Sequence, residues 1–421
     1  KRDFKKIEKF LTVLWDLGLK LGHSVRTAKE CEESAALDIT VPTNLMEARP
    51  LFDLKNSLEK VLLLTSNKNM WSSDAFFKEK LNEQRSRHEK FADTEYNLEP
   101  NVKSSPGGLR DIQFIGWIAE RFLGVRSLEE AFLNKFVSEE DAKTLTSGQD
   151  FLWQLRYELH ILSRREEDRL LFDYQRQLAE SWGYRDDNRL AVEKFMQAYY
   201  RWALTIGQLN EILVLHFEQA ISPTKNKTLI QKIGTNFINR NGYLDLSKKE
   251  LIKKKPNLLL LIFKVLANDP KLLGPSAKTI QNIRDNIHLI DHTFRIDSKN
   301  RETFLDILKS PHRMTLQLRR MNRYGVLSAY LPAFGRIVGQ MQHDLFHVYT
   351  VDAHTLEVVQ NMRRFINGKH EEKFPVSSRI ARRLPKIELL YIAGLFHDIG
   401  KGQGGDHSSL GAAEARQFCV E

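Results

Sequence analysis

The stretch LFHDIGKGQGGDHSS places His397 and Asp398 side by side at the end of an apolar helical pattern, ELLYIAGLF. Imidazole nitrogens and carboxylate oxygens together suit a first-row divalent metal ion or Mg²⁺. A bound cation would neutralise Asp398, which explains a carboxylate at the end of an apolar helix. His354 begins a second helical pattern, HTLEVVQNMRRF, and two adjacent helices would bring it to the same ion. These three residues are the candidate metal ligands.

Two more residues near the His-Asp pair suit phosphate chemistry. Lys401, in HDIGK, could hold a phosphate oxygen. His407 follows the turn GQGGD closely enough to return to the same site. A metal ion activates water near neutral pH and stabilises phosphate charge, so the pattern predicts a metal-dependent phosphohydrolase site. From the residues alone, the alternative is a hydrogen-bonded surface pair or a helix cap with no catalytic role.

A second pattern, NLEPNVKSSPGGLRDI, contains two prolines and a glycine pair and predicts a loop before a helix. Gly107 and Gly108 would let backbone amides approach a ligand closely. Lys103 and Arg110 flank the pair, and the helix that follows offers its N-terminus to an anion. The loop is therefore a candidate nucleotide-binding site. The alternative is a turn and helix start in which Asp111 complements the helix dipole.

Asp38 is a weaker candidate, in the stretch LDITV. The alternation of this stretch predicts a half-buried strand with Leu37, Ile39 and Val41 on one face and Asp38 on the other. GHSVR, just before it, also predicts a short strand, so the first fifty residues suggest the end of an α/β domain. A carboxylate on an exposed face is normally just solvated, but nucleotidyl transfer needs several carboxylates to hold Mg²⁺ around a triphosphate.

Helical periodicity dominates the rest of the chain. TAKE, at 27–30, is a capping-box pattern that starts a helix. FINRNGYLDL has Asn-Gly between two β-like runs and predicts a small hairpin, and SPTKNK (222–227) predicts a linker. Helices are predicted at about 4–20, 74–93, 110–123, 138–167, 173–183 and 188–220, and again from about 256 to the end.

Composition narrows the class of protein. The 421 residues include two cysteines, too few for a disulfide framework, which suggests a reducing compartment. No apolar run is long enough to span a bilayer, so we expect no membrane association and a cytoplasmic location. The net charge of +10 is spread along helices among acidic residues, which favours anionic nucleotides or an acidic partner protein over nucleic acid. Because the chain does not begin with Met, we expect a segment of a longer protein.

The His-Asp residues resemble the HD superfamily of metal-dependent phosphohydrolases, whose pattern is a His, then His-Asp, then a distant Asp. The resemblance implies that His354, His397 and Asp398 are metal ligands. It also implies a final Asp, expected beyond Glu421.

Six stretches together resemble, in order, the bifunctional uridylyltransferase/uridylyl-removing enzymes of bacterial nitrogen control, the GlnD family. The resemblance covers nearly the whole chain and is weakest at about 222–300. The stretches are LWDLGLKLGHSVRT, DITVPTNLMEAR, YNLEPNVKSSPGGLRDI, DRLLFDYQ, VGQMQHDLFHVYTVDAHTLEVV and LFHDIGKGQGGDHSSLGA.

The resemblance implies two reactions on one protein. In the first, UMP is transferred from UTP to a tyrosine of the PII signal protein; in the second, UMP is removed by hydrolysis, with glutamine as the regulatory ligand. It implies Mg²⁺ or Mn²⁺ as the metal and Asp38 as the third nucleotidyltransferase carboxylate. The Gly-Ser motif and Asp-x-Asp pair of the family are expected before Lys1, and its glutamine-sensing ACT domains after the HD domain.

The expected fold class is mainly α. We expect the C-terminal part of a polymerase-β-like α/β nucleotidyltransferase domain at 1–95, a helical substrate- and nucleotide-binding domain at 96–222, a mostly helical connection at 223–330 and an all-α HD domain at 331–421. Three other functions are considered. The first is a glutamine synthetase adenylyltransferase, a family that lacks an HD domain, and the second is a general HD nucleotide phosphodiesterase, which would have no use for SSPGGLRD. The third is a non-catalytic module that senses PII or nucleotides.

Overall fold

The fold is described from a computed structural model of the chain. It describes residues 2–19, 21–53, 56–64, 66, 70–91, 97–125, 130, 138–187, 189–221, 230–248, 250–342, 349–368, 371–403 and 406–420. The predicted linker at 222–227 and most of the stretch HDLFHVYT (343–348) lie outside these residues. The chain divides into two units, Lys1–Lys80 and Leu81–Glu421.

The described part of the first unit is built from helices. Their bounds are α1 Arg2–Asp16, α2 Ala28–Leu37, α3 Thr40–Met46, α4 Ser57–Leu64 and the beginning of α5, Ser73–Glu89. The predicted capping box is confirmed, because the Thr27 hydroxyl accepts from the Glu30 amide and the Glu30 carboxylate accepts from the Thr27 amide at 2.7 Å. Trp71 donates its indole N–H to the carbonyl oxygen of Ala35 at 2.7 Å.

The two predicted strands of this unit are wrong. Residues 21–27 have no regular structure, and LDITV joins α2 to α3 instead of forming a strand. The Asp38 carboxylate accepts a hydrogen bond from the Thr40 amide at 2.8 Å, which stabilises the start of α3. Leu37, predicted to face the core, is 88% exposed. A local hydrogen-bonded turn from Asp38 to Thr40 thus stands where an alternating pattern of five residues predicted a strand.

The second unit is a helical array with one small sheet. It begins with the end of α5 and a loop at 97–108. Its helices are α6 Leu109–Leu123, α7 Glu139–Ser163, α8 Phe172–Ser181, α9 Ala191–Ile221, α10 Leu251–Lys254, α11 Leu258–Asn268, α12 Ala277–Asp285, α13 His292–Ile296, α14 Ser298–Lys309, α15 Met314–Arg323, α16 Val326–Tyr330, α17 Pro332–Ile337, α18 Val351–Ile366, α19 Pro375–Arg383, α20 Ile387–Phe396 and α21 His407–Val420. The expectation of a mainly α protein is confirmed.

The sheet confirms the predicted hairpin. Its strands are β1 Ile230–Ile233, β2 Phe237–Arg240, β3 Tyr243–Leu246 and β4 Gly274–Pro275, in the order β1-β2-β3-β4. The first three pair antiparallel, and β4 runs parallel to β3. Asn241 and Gly242 both have positive φ, as a two-residue hairpin turn requires.

One hydrophobic core runs from the sheet to the C-terminal helices. α11 supplies buried residues all around its circumference, including Leu259, Ile262 and Phe263, and packs against α14 and α15. Val359 of α18 and Leu395 of α20 belong to the same core. The helices that carry His354 and His397 are therefore fixed by shared apolar burial. Among the described helices, none is long and apolar enough to cross a membrane.

Candidate metal centre and glycine loop

α18 and α20 pack tightly against each other at Gly394. A Cβ atom at this position would lie 2.8 Å from Sδ of Met362 and 3.1 Å from Cγ2 of Val359, both on α18. The missing side chain lets the two helices pack closely. His354, in the first turn of α18, and His397, at the end of α20, consequently face each other with ring centroids 5.4 Å apart.

His354, His397 and Asp398 form one cluster of potential metal ligands. A ligand atom from each lies within 4.8 Å of the other two. Asp398 Oδ2 is 3.2 Å from His397 Nε2 and 3.7 Å from His354 Nε2. The carboxylate is 9% exposed, whereas the His397 and His354 side chains are 33% and 40% exposed. The buried side of the cluster is thus anionic, and its imidazoles line the side open to solvent.

The backbone selects the tautomer of His397. Its Nδ1 lies 2.7 Å from the carbonyl oxygen of Gly394. A carbonyl only accepts hydrogen bonds, so Nδ1 carries a proton, and Nε2 is the atom that faces Asp398, where a bound cation would take the place of its proton. Although burial lowers the pKa of His397, the hydrogen bonds to Asp398 and Gly394 raise it above the ordinary value.

Lys401 completes the inner side of the centre. Its Nζ donates to Asp398 Oδ2 and to Gln342 Oε1, each at 2.9 Å, and its side chain is only 10% exposed. Burial tends to raise the pKa of Asp398, but hydrogen bonds from His397 and Lys401 hold it well below its usual range. Asp398 is therefore ionised at neutral pH and ready to bind a cation.

His407 is not part of this cluster. It is the first residue of α21 and its side chain is exposed. Its backbone is what comes close: a Cβ on Gly400 would lie 2.5 Å from the carbonyl oxygen of His407. The glycine therefore lets the start of α21 pack on the His-Asp turn, while the His407 side chain stays outside.

The donor set fits a divalent cation. Two imidazole nitrogens and one carboxylate suit Zn²⁺, Mn²⁺, Fe²⁺ or a similar ion, and the second imidazole nitrogen of His397 is already oriented by the backbone, as metal-binding histidines usually are. Across the described ranges, no other group of three potential ligands is found. Asp38 accordingly has no such group around it in the part of the first unit that the structure describes.

Asp111, in the first turn of α6, is a buried hydrogen-bond acceptor next to the glycine loop. The side chain is 1% exposed. Its carboxylate accepts from Gln84 Nε2 at 3.0 Å, from His88 Nε2 at 2.9 Å and from Arg87 Nη2. The Gly107 amide donates to the same carboxylate at 2.8 Å. Asp111 therefore ties α5 to the loop, a role that its place in LRDI alone does not reveal.

The glycine pair is required by packing within the protein. Gly107 has φ +73°, and a Cβ there would lie 2.0 Å from the carbonyl oxygen of Ala203 on α9. A Cβ on Gly108 would lie 2.9 Å from the carbonyl oxygens of Ser105 and Val102. The Gly107 amide donates to Asp111 and the Gly108 amide donates to Ser105. Both amides are thus used inside the loop, as the alternative interpretation of a turn and helix start expects.

The two cations beside the glycine pair remain accessible in part. Arg110 places its guanidinium 5.4 Å from the ring centre of Trp117, a cation–π distance. Burial tends to raise the pKa of Asp168, but hydrogen bonds from Arg156 and His160 lower it. The nearby charge of Lys103 also lowers this pKa. The side chains of Lys103 and Arg110 are both half-buried. Their predicted contact with phosphate stays a prediction.

The stretch DRLLFDYQ holds the other side of the loop. Gln175 donates to the carbonyl oxygens of Leu98 and Leu170, each at 2.7 Å. Arg169 pairs with Glu99 at 3.5 Å. Although Arg169 and Asp173 are four residues apart, Arg169 lies outside the helix that contains Asp173, so the two do not share a helix face.

Several residues of the two sites were missed by sequence reasoning. Gln342 contacts Lys401, and Asp352, which is fully buried, accepts from Asn322 Nδ2 at 2.9 Å and from the Gly339 amide at 3.1 Å. The only sequence signal for Asp352 was a carboxylate in the first turn of an apolar helix, next to a predicted ligand.

Comparison with known protein families gives matches to the regions of the chain that contain the two sites. A family model described as GlnD PII-uridylyltransferase matches residues 75–214, and one described as Uridylyltransferase GlnD third domain matches residues 237–330. A model of the HD domain matches residues 351–421. This chain belongs to the GlnD family. The glycine loop of this GlnD-family chain falls in the first match, and the metal cluster falls in the third.

Curated relatives extend the match over the chain. It is 50% identical to the bifunctional uridylyltransferase/uridylyl-removing enzymes of Pseudomonas aeruginosa (strain LESB58) and Azotobacter vinelandii (strain DJ), and 49% identical to that of Pseudomonas putida (strain GB-1). Each alignment covers 98% of this chain and 46% of the relative. The GlnD-family chain thus spans about half the length of the curated relatives it matches. No solved structure matched it.

Proposed function

We propose that the His354–His397–Asp398 cluster is the hydrolytic centre that removes UMP from uridylylated PII, in a bacterial cytoplasmic protein that also transfers UMP from UTP to PII. The convergence of the three ligand atoms within 4.8 Å carries the proposal. The match to the HD domain implies a divalent metal at such a site. The relatives' printed name, with its two activities, supports the assignment of the substrates.

The substrate bond is the phosphodiester between UMP and a tyrosine oxygen. His354, His397 and Asp398 would hold a divalent cation, which when bound activates water and stabilises charge on the phosphoryl oxygens. The Gly394 carbonyl keeps the proton of His397 on Nδ1, so that Nε2 remains a ligand. Lys401, whose ammonium lies 2.9 Å from Asp398, orients that carboxylate and can donate to a phosphoryl oxygen next to it.

For the transfer reaction, the match to the uridylyltransferase model supports the region around the glycine loop. We place Lys103 and Arg110 at the UTP phosphates, because Lys103 is a cation of the glycine loop, Arg110 is a cation in the first turn of α6, and the Arg110 amide donates to the Lys103 carbonyl oxygen at 2.8 Å. In this proposal Gly107, Gly108 and Asp111 shape the loop. Asp38 is proposed as one Mg²⁺ ligand for UTP. Glutamine, as effector, would act on both reactions.

The deciding experiment compares the wild-type protein with the double variant H397A/D398A. UMP release from uridylylated PII is measured with Mn²⁺ and with Mg²⁺, and UTP-dependent transfer is measured in parallel. We expect release to be lost and transfer to be retained. Unchanged release would refute the hydrolytic assignment and favour reversal of transfer or a sensing role for the HD domain. Loss of transfer in D38N, with release retained, would support Asp38 as a ligand for the first reaction only.

A further inference from the structure

One side of α9 contacts the glycine loop and also the turn that precedes α18, the helix of His354. Ala203 packs against Gly107, and Tyr200 donates its hydroxyl hydrogen to the carbonyl oxygen of Asn97 at 2.9 Å, so both hold the glycine loop. Tyr200 also packs against Gly339, whose Cβ would lie 3.1 Å from that of Tyr200. Positions three apart on a helix are neighbours on its surface, so Gln197 extends the same contact side by one turn.

The Gln197 side chain is buried and its amide is fully used. Its Nε2 donates to the carbonyl oxygens of Arg336, at 3.2 Å, and Val338, at 3.0 Å. Its Oε1 accepts from Arg189 Nη1 at 2.9 Å. Two backbone carbonyls of the segment after α17 are thereby held against α9. In the described part of the chain these two donations come from one side chain, so a single substitution removes both.

The next residues carry this restraint to α18. The amide of Gly339 donates to Asp352 Oδ1 at 3.1 Å, and the amide of Val351 donates to the carbonyl oxygen of Gln340 at 2.7 Å. Asp352 is fully buried in the first turn of α18. His354, two residues later, shares that turn. The position of the turn at 338–340 therefore sets the position of the helix start that carries the first ligand.

We propose that Gln197 is a positioning residue for the metal cluster, acting through the turn at 338–340 and Asp352 on the first turn of α18. The inference rests on the proposed metal site and adds a residue from the uridylyltransferase match to it. It also makes α9 a physical link between the glycine loop and the hydrolytic centre. Loss of an outer contact that orients a metal ligand typically lowers metal affinity about 10- to 100-fold.

The chain offers a matched control in Gln175. This side chain is also buried on a helix, and its Nε2 also donates to two backbone carbonyls, those of Leu98 and Leu170. It touches the glycine loop and not the turn at 338–340. Gln197→Glu and Gln175→Glu each replace a double donor with a carboxylate that the two carbonyls repel. The two sites differ in one respect, because Arg189 lies beside Gln197 Oε1 whereas Gln175 Oε1 has no hydrogen-bond partner among the described residues. Gln197→Met and Gln175→Met are therefore made as a second pair, which removes the two donations without adding a charge.

The test is titration of the 421-residue chain with Mn²⁺, in which the free ion is followed by electron paramagnetic resonance. Thermal melting in EDTA is measured beside it. We expect Gln197→Glu to weaken Mn²⁺ binding about 10-fold or more, and Gln175→Glu to bind as wild type although both melt earlier in EDTA. If Gln197→Glu does not fold, Gln197→Met against Gln175→Met gives the same comparison without the added charge.

Equal Mn²⁺ affinity in the two variants, whether kept or lost, would overturn the role of Gln197. If in that case the wild-type chain binds Mn²⁺ and H397A does not, the proposed metal site stands without a role for Gln197. Absence of Mn²⁺ binding by the wild-type chain, or wild-type binding by H397A, would overturn the proposed function and this inference together.

Discussion

His397 and Gly394 lie one helical turn apart, and the imidazole Nδ1 of the first contacts the carbonyl oxygen of the second at 2.7 Å. Gly394 also packs tightly on α18, because a Cβ there would lie 2.8 Å from Sδ of Met362. One glycine thus orients the second ligand and brings in the helix of the first ligand, His354. The metal cluster is therefore built by two contacts of the same short segment.

The first prediction concerns which histidines bind metal. Replacing His354 or His397 by Ala should abolish binding of one Mn²⁺, because each supplies one of the three ligand atoms that converge among the described residues. His407→Ala should bind like wild type, because its side chain is exposed and outside the cluster. Mn²⁺ titration of the three variants decides this. Loss of binding in His407→Ala would restore its predicted assisting role.

The second prediction concerns Lys401. Lys401→Met removes the cation beside Asp398, so the metal-free variant should melt at a lower temperature, because a buried carboxylate loses its partner. Mn²⁺ should replace that charge, so the rise in Tm on adding Mn²⁺ should be larger than in wild type. Release of UMP should fall about 100-fold if the ammonium also donates to the phosphoryl group.

Lys401→Met with normal UMP release would contradict the phosphate contact and leave Lys401 as a partner of Asp398 only. Lys401→Arg serves as control, because it keeps the charge. Differential scanning calorimetry with and without Mn²⁺ supplies the melting temperatures.

The third prediction separates packing from backbone conformation at the glycine loop. Gly107 and Gly124 both have φ +73°, but a Cβ on Gly107 meets Ala203, whereas one on Gly124 meets nothing within 4 Å. Gly124→Ala should cost only the left-handed strain, about 1–2 kcal/mol. Gly107→Ala should cost about 1–3 kcal/mol more from overpacking. Urea unfolding measures the loss in free energy of unfolding for each variant. Equal losses in the two variants would mean that α9 moves away from the new methyl group at Ala203 without an energetic cost.

Long periodic elements could be predicted from the sequence, whereas short alternating ones could not. The helix at 191–221 and the Asn-Gly hairpin follow from local periodicity and turn chemistry, which need no distant partner. The stretch LDITV is ambiguous because five residues satisfy the alternation of a strand as well as a helix junction. The hydrogen bond from the Thr40 amide to the Asp38 carboxylate favours the helix junction.

The metal cluster was predictable in part for a similar reason. His397 and Asp398 are adjacent in sequence and stand at the end of an apolar helix, so their chemistry is visible locally. Gln197 gives no such signal, because its partners Arg336 and Val338 lie far along the chain. The glycine pair was visible, but its purpose was not, because Ala203 is a distant residue.

The last prediction is a pH dependence set by Asp111. Burial would raise the pKa of this carboxyl, but His88, Arg87 and the Gly107 amide together hold it below the ordinary value of 3.8. A carboxyl whose pKa is lower in the folded state stabilises the fold above the unfolded pKa, and the contribution is lost as pH falls through the folded pKa. Asp111→Asn keeps the shape and lacks the charge.

The free energy of unfolding of Asp111→Asn should therefore be about 3–5 kcal/mol below wild type at pH 7, because the Arg87 guanidinium loses its buried anionic partner. The gap should begin to narrow below about pH 4, where the unfolded wild-type chain takes up the proton first, and should narrow further as pH falls through the lower pKa of the folded state; the variant has no carboxylate to protonate. Urea unfolding at pH 7 and at a series of pH values from about 4 down to about 2 measures the gap. A gap of the same size across the whole series would mean that the ionised form of Asp111 contributes nothing and that shape alone anchors α5 to the glycine loop.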